Sequence, residues 1–217
     1  MFRKTHGDNP EKLLFLDVDG VLNSSAFFRS KHYKLDKIKN PWHAKQYDLK
    51  KLDLLKEIHD KTKCTIVMSS TWRTFYFNNN LMSRCGEGCK SLKKDLKKRG
   101  IRIFYKTSYN YDKEEYTRQN YVEFVKNEDG TYNSKYVPND KKPPLTKFYE
   151  RGYQINEFLQ KWKKRYPKTK FAILDDDCGD LVLFGNNFVN TKWYGDCEDE
   201  CGITREAVKK VVSLLND

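Results

Sequence analysis

Two aspartates one residue apart, Asp17 and Asp19, follow the apolar run Leu13-Leu14-Phe15-Leu16 and precede Gly20. The same arrangement, an apolar stretch running into reactive side chains, recurs twice. Cys64 to Met68 leads into Ser69 and Ser70, and Phe171 to Leu174 leads into Asp175, Asp176 and Asp177. Carboxylates can attack, exchange protons or ligate a cation, and serine hydroxyls can hold an oxyanion. Carboxylates gathered in one place repel one another, and a hard divalent cation that prefers oxygen relieves the repulsion; magnesium fits that description. Asp-x-Asp-Gly alone is equally compatible with a calcium loop, so the weight lies on the three strand ends taken together.

For these side chains to meet, the runs carrying them must be neighbouring strands with their carboxyl ends at one edge, where ligands bind in open α/β sheets. Leu13 to Leu16, Cys64 to Met68 and Phe171 to Leu174 are short and continuously apolar, as strands buried on both faces are. Helical periodicities lie between them. Leu49, Leu52, Leu55 and Ile58 predict an amphipathic helix over Asp48 to Lys61, and Leu92 and Leu96 a Lys-rich one over Ser91 to Arg99, stopped by Gly100. Ile155, Phe158, Leu159 and Trp162 predict a third, ending near Arg165. Ile101 to Phe104 reads as the third strand and Phe188-Val189 as the fifth, while Thr204 caps a last helix with Ala207, Val208, Val211 and Leu215 inward. The alternation predicts an α/β chain, one domain over residues 1–217, with a mostly parallel five-stranded sheet covered on both faces. Residues 108–148 interrupt it. There Tyr121 to Val125 and Thr131 to Val137 flank Asn127-Glu128-Asp129-Gly130, a β-hairpin signal in a small insertion that ends in a linker-like Asp140 to Pro144.

Leu16-Asp17-Val18-Asp19-Gly20-Val21-Leu22-Asn23 resembles the first motif of the haloacid dehalogenase (HAD) superfamily, most of whose members are phosphatases. Ser69-Ser70-Thr71-Trp72-Arg73, Arg151-Gly152-Tyr153-Gln154-Ile155 and Leu174-Asp175-Asp176-Asp177 follow in the order of that superfamily's further motifs. With Gly202-Ile203-Thr204 before the last helix, they are similar in particular to the HAD domains of Swiss Army Knife RNA repair proteins, related to polynucleotide phosphatase domains. The resemblance covers nearly the whole chain apart from residues 108–148, and it implies a three-layer Rossmann-like HAD fold. It implies that Asp17 is the nucleophile, forming an aspartyl-phosphate, and that Asp19 is its acid/base partner, with a backbone carbonyl that helps bind magnesium. Ser69 matches the hydroxyl that holds a phosphoryl oxygen, and Ser70 is the alternative in register. Arg73 is expected to bind a substrate phosphate, whereas Trp72 reads first as a packing residue. Arg151 matches the basic third motif, with Lys147 as the alternative. Asp175 and Asp176 match the acids that hold the cation together with Asp17 and Asp19, and Asp177 or Asp180 is expected to cap the next segment.

The 42 Lys and Arg residues against 30 Asp and Glu give a net charge of +12. That excess favours polyanionic partners, although lysine used for solubility explains it equally. No apolar stretch has the length of a signal-peptide core or a membrane span, so an intracellular, cytoplasmic location and no membrane partner are expected. Cys85/Cys89 and Cys197/Cys201 could together hold zinc, but without a secretory signal free thiols are the expectation. His6, His32, His43 and His59 have no paired partner in the pattern and are given no catalytic role.

Residues 24–47 and 108–148 are read as insertions flanking the site and setting its substrate. The first interleaves Phe27, Phe28, Tyr33 and Trp42 with Arg29, Lys31, His32 and His43, which suits base stacking with phosphate pairing and equally suits a hydrophobic lid. Three readings follow: a phosphatase of phosphorylated RNA or DNA ends, a phosphatase of small molecules or nucleotides, and a non-catalytic nucleic-acid-binding or adaptor protein. The last is disfavoured because every acid of the motifs is present. Oligomeric state is not encoded in any pattern found.

Overall fold

The computed structural model describes residues 8–41, 44–77, 84–110, 122–126, 132–136, 148 and 150–217. In chain order the elements are β1 (Asn9–Leu16), α1 (Ser25–Arg29), α2 (Lys31–Lys39), α3 (Leu49–Thr62), β2 (Cys64–Met68), α4 (Arg73–Tyr76), α5 (Arg84–Lys98) and β3 (Tyr105–Lys106). The hairpin strands β4 (Val122–Lys126) and β5 (Tyr132–Tyr136) follow, then α6 (Arg151–Lys163) and β6 (Lys170–Asp175). A 3-10 segment (Gly179–Asn187), β7 (Phe188–Asn190), a 3-10 turn (Glu198–Glu200) and α7 (Arg205–Asn216) complete the chain.

The main sheet runs β3-β2-β1-β6-β7, and all its pairings are parallel. Leu13 to Leu16 are fully buried because β1 is central and alternates its side chains between two layers. Leu14 and Leu16 pack with Leu52, Leu55 and Ile58 of α3 and Val208 and Val211 of α7. Leu13 and Phe15 face the other way, onto Ile155, Leu159 and Trp162 of α6. This is the expected three-layer α/β architecture. β4 and β5 form a separate antiparallel pair, Val122 opposite Tyr136 and Lys126 opposite Tyr132, within a residue of the predicted strands.

Several boundaries differ from the sequence reading. Ile101 and Ile103 are buried, but pairing with β2 begins only at Tyr105, so the third strand is shorter and later than predicted. Leu49, expected on the inner face of α3, is 36% exposed because it is the first residue after the Asp48 cap. Helix α5 starts at Arg84 rather than Ser91; glycines at 86 and 88 weaken the helical signal there. Within residues 24–47, α1 and α2 are a pair of helices with no apolar periodicity to announce them, each started by a serine: Phe27 N–H donates to Ser24 Oγ and Tyr33 N–H to Ser30 Oγ. Their rings are spent on one another. Phe27 and Tyr33 are buried with Ala44, and Phe28 packs edge-on against Tyr33 and tilted against Trp193, so much of their ring surface is taken up by one another. Trp42 and His43 lie outside the described residues.

Candidate active site

Two backbone hydrogen bonds bring the strand ends together. Asp17 N–H donates to Leu174 O at 3.0 Å and Ser69 N–H to Leu16 O at 3.0 Å, which places the residues after β1, β2 and β6 at one edge of the sheet. There Asp17, Asp175 and Asp176 offer carboxylate oxygens within 4.8 Å of one another. Gly20 makes room for the third: it has φ +71°, and a Cβ built on it would stand 2.1 Å from Asp176 Cγ. Only glycine combines that left-handed backbone with so close an approach.

The electrostatics are those of an acidic pocket withheld from water. Burial raises the pKa of Asp17, against the pull of the Arg151 charge and a hydrogen bond from Ser70. Burial and then the charge of Asp17 raise Asp175 well above the usual carboxylate range, and the same two causes push Asp176 up to about 6. Arg151 Nη1 lies 2.5 Å from Asp175 Oδ2 and 3.3 Å from Asp17 Oδ2. Burial opposes its charge, but Asp17 and Asp175 outweigh burial and hold the guanidinium firmly protonated. One guanidinium does not neutralise three carboxylates. The donor set is all oxygen, crowded and electron-rich, and it fits a magnesium ion.

Asp19 stands outside this cluster. Its carboxylate accepts from Asn23 Nδ2 at 2.9 Å and from the Trp72 indole N–H at 3.0 Å, and Asn23 also accepts from Gly20 N–H at 3.1 Å. Trp72 is therefore more than the packing residue its type suggested. Of the two serines, Ser70 reaches Asp17, whereas the Ser69 hydroxyl is buried with no hydrogen-bond partner among the described residues. Ser70 is thus the serine that meets Asp17.

Arg73 departs most from expectation. Its side chain turns inward, 3% of the residue being exposed; Nη1 donates to Ser69 O at 2.5 Å and Ser70 O at 2.8 Å, and Nη2 to Gln154 Oε1 at 2.9 Å. The ring of Tyr109 lies 4.0 Å from its guanidinium carbon. Buried on these partners, with Nε alone unpartnered among the described residues, Arg73 braces the serine loop rather than standing free for the phosphate contact predicted for it. Lys147, the alternative to Arg151, lies outside the described residues.

Asp180 caps a helix, but the preceding one. Its Oδ1 accepts from Gly152 N–H at 2.8 Å and its Oδ2 from Glu150 N–H at 2.8 Å and Tyr153 N–H at 3.3 Å, so a buried carboxylate grips the first turn of α6, where Arg151 begins. Gly152 permits the contact: a Cβ there would stand 2.8 Å from Asp180 Cγ and 2.7 Å from Phe148 Cδ1. The Arg-Gly dipeptide was the available signal. Asp177 donates its N–H to Asp175 Oδ1 at 3.0 Å and does not join the carboxylate cluster. Among the described residues the cysteines form no disulfide and no cysteine set is gathered as metal ligands; the Cys85 side chain is outside them. No helix among the described residues is long and apolar enough to cross a membrane.

The family model described as the HAD domain in Swiss Army Knife RNA repair proteins matches residues 13–208, a span that takes in the second half of β1 and the whole of the other four strands of the main sheet. Comparison with curated proteins and with solved structures returns no match.

Proposed function

Because the chain belongs to the family of HAD domains found in Swiss Army Knife RNA repair proteins, a family of phosphatase-type hydrolases, we propose that it is a magnesium-dependent phosphomonoesterase acting on phosphorylated ends of RNA or DNA through an aspartyl-phosphate. The observation that carries this reading is Asp17: a buried carboxylate at the end of the central strand, within 4.8 Å of two further acids and 3.3 Å from Arg151.

Asp17, held by the β1–β6 stitch, attacks phosphorus in line with the leaving oxygen. Ser70 and Arg151 bind the phosphoryl oxygens, and Arg151 compensates the charge that accumulates there. Asp19 protonates the leaving alkoxide and then takes the proton from the water that cleaves the aspartyl-phosphate. Its two hydrogen bonds, from Asn23 and Trp72, aim the carboxyl group for both tasks. Asp17, Asp175, Asp176 and the backbone carbonyl of Asp19 would hold magnesium, which neutralises phosphoryl charge when bound.

The test is turnover of a phosphorylated oligonucleotide and of the matching mononucleotide with magnesium, for the wild type and Asp17→Asn. Loss of turnover in a folded Asp17→Asn protein is expected, and retained turnover refutes the nucleophile. A nucleotide phosphatase is the second reading, favoured by the internal packing of Phe27, Phe28 and Tyr33; equal rates on mononucleotide and oligonucleotide would select it.

A further inference from the structure

Away from the acidic pocket, the flank formed by α4, α5 and the approach to β3 concentrates positive charge that neither the core nor the proposed chemistry uses. Lys90, Lys93, Lys94 and Lys97 succeed one another at i, i+3, i+4 and i+7 and so share one face of α5. With Phe75 and Tyr76 they line a trough of ≈ 300 Å³. A second trough of ≈ 330 Å³ shares Tyr76, Lys93 and Lys97 with the first and adds Arg102 and Phe104, so the two form one groove.

Opposing charge is scarce along it among the described residues. Lys94, Lys97 and Arg102 have no ion-pair partner among the described residues, and Glu87 is already paired with Lys90. Asp95, the acid within this stretch of α5, is buried, where it accepts from Lys45 and Tyr47. Aromatic faces lie between the cations: Lys93 sits 4.9 Å from the Tyr76 ring, Lys106 sits 5.4 Å from the Phe77 ring, and Phe104 is 41% exposed. The groove also abuts the site. Helix α4 begins immediately after Trp72, which holds Asp19, and Cys89 of α5 donates its thiol to Trp72 O at 3.7 Å.

We propose that this groove holds the single-stranded body of a polynucleotide, phosphates against Lys94, Lys97 and Arg102 and a base against Phe104, while the strand's end reaches Asp17. Cations spaced along a channel with interleaved aromatic faces are the chemistry that tracks a single strand without reading its sequence. The proposal deepens the reading of the substrate as a nucleic-acid end and rests on it, but its test needs no turnover.

Binding of a fluorescein-labelled 12-mer of uridine with hydroxyl ends is measured by anisotropy across a sodium chloride series. The wild type is compared with a Lys94→Ala, Lys97→Ala, Arg102→Ala variant and with a charge-matched control, Lys34→Ala, Lys164→Ala, Lys209→Ala. Losing three phosphate contacts should flatten the slope of log affinity against log salt by about 2 and weaken binding about tenfold, while the control keeps the wild-type slope. No binding by the wild type, or an unchanged slope in the groove variant, overturns the proposal. So does a loss seen for anionic vesicles or polyglutamate but not for the oligonucleotide. If the groove variant fails to bind but phosphorylated oligonucleotides are not hydrolysed, the groove stands and the substrate reading falls. If they are hydrolysed equally well by both proteins, the reverse holds.

Discussion

Asp180→Asn tests whether a residue that never meets substrate sets the activity through Arg151. The substitution keeps one acceptor oxygen, which can still take Gly152 N–H, but turns an NH2 toward the N–H groups of Glu150 and Tyr153, now 2.8 and 3.3 Å from Oδ2. A hydrogen bond to a charged group contributes about 1.5–3 kcal/mol, so losing one short and one long bond while facing donor with donor should cost about 3 kcal/mol of stability. The helix start then shifts, and Arg151 Nη1 leaves its place 2.5 Å from Asp175 and 3.3 Å from Asp17. A displacement of about 1 Å in a charge-stabilising group is worth about a hundredfold in rate. A double-mutant cycle on kcat/KM with a phosphorylated oligonucleotide reads the coupling. Asp180→Asn should lower kcat/KM between about tenfold and a hundredfold in the wild type, yet less than about threefold in an Arg151→Ala background. Its magnesium half-saturation should not rise, since withdrawing the Arg151 charge from Asp17 and Asp175 favours the cation. An equal loss in both backgrounds, or a raised magnesium requirement, would refute the argument by showing that Asp180 acts on the reaction or the cation directly.

Gly20→Ala should raise the magnesium half-saturation at least about tenfold, because a Cβ 2.1 Å from Asp176 Cγ must displace that carboxylate. Gly100→Ala, at φ +78° with nothing within 4 Å, is the control: urea denaturation should show only the left-handed backbone cost of about 1–2 kcal/mol, with magnesium dependence intact. In metal-free protein, Asp17, Asp175 and Asp176 bind protons more tightly than they do in the unfolded chain, Asp176 holding its proton up to about pH 6. Stability should therefore fall as pH rises from about 4 to about 6, and magnesium should reverse that trend; melting curves at pH 4.5 and 7 with chelator, then with magnesium, check it. A flat profile would mean that the acids do not crowd one another as described.

The sheet was legible because strands buried on both faces are written as uninterrupted apolar runs, and the acids because they follow those runs directly. What escaped was set by tertiary contact. Nothing near Asp180 in the chain says that its carboxylate reaches back 28 positions to Gly152, and nothing in Trp72 says that its indole N–H will find Asp19. The choice between Ser69 and Ser70 turns on a single residue of register at a strand end, where one step reverses the direction of the side chain. Arg73 looked like a phosphate ligand by type; the buried carbonyls of Ser69 and Ser70, just past the end of β2, claimed it instead. Helices α1 and α2 lack a clear apolar stripe, so the sequence reading did not place them; the signal available was their serine caps.

The strand order also has a consequence for how the molecule comes into being. β1 lies between β2 and β6, so Asp17 is synthesised well before Asp175 and Asp176, the acids that stand beside it. A nascent polypeptide released through residue 147 would carry Asp17 beside its serines but expose the flank of β1 that β6 should cover, with no acid cluster to receive a cation. The acid cluster closes only when the segment carrying α6 and β6 docks on β1, which ties its formation to a contact between segments far apart in sequence.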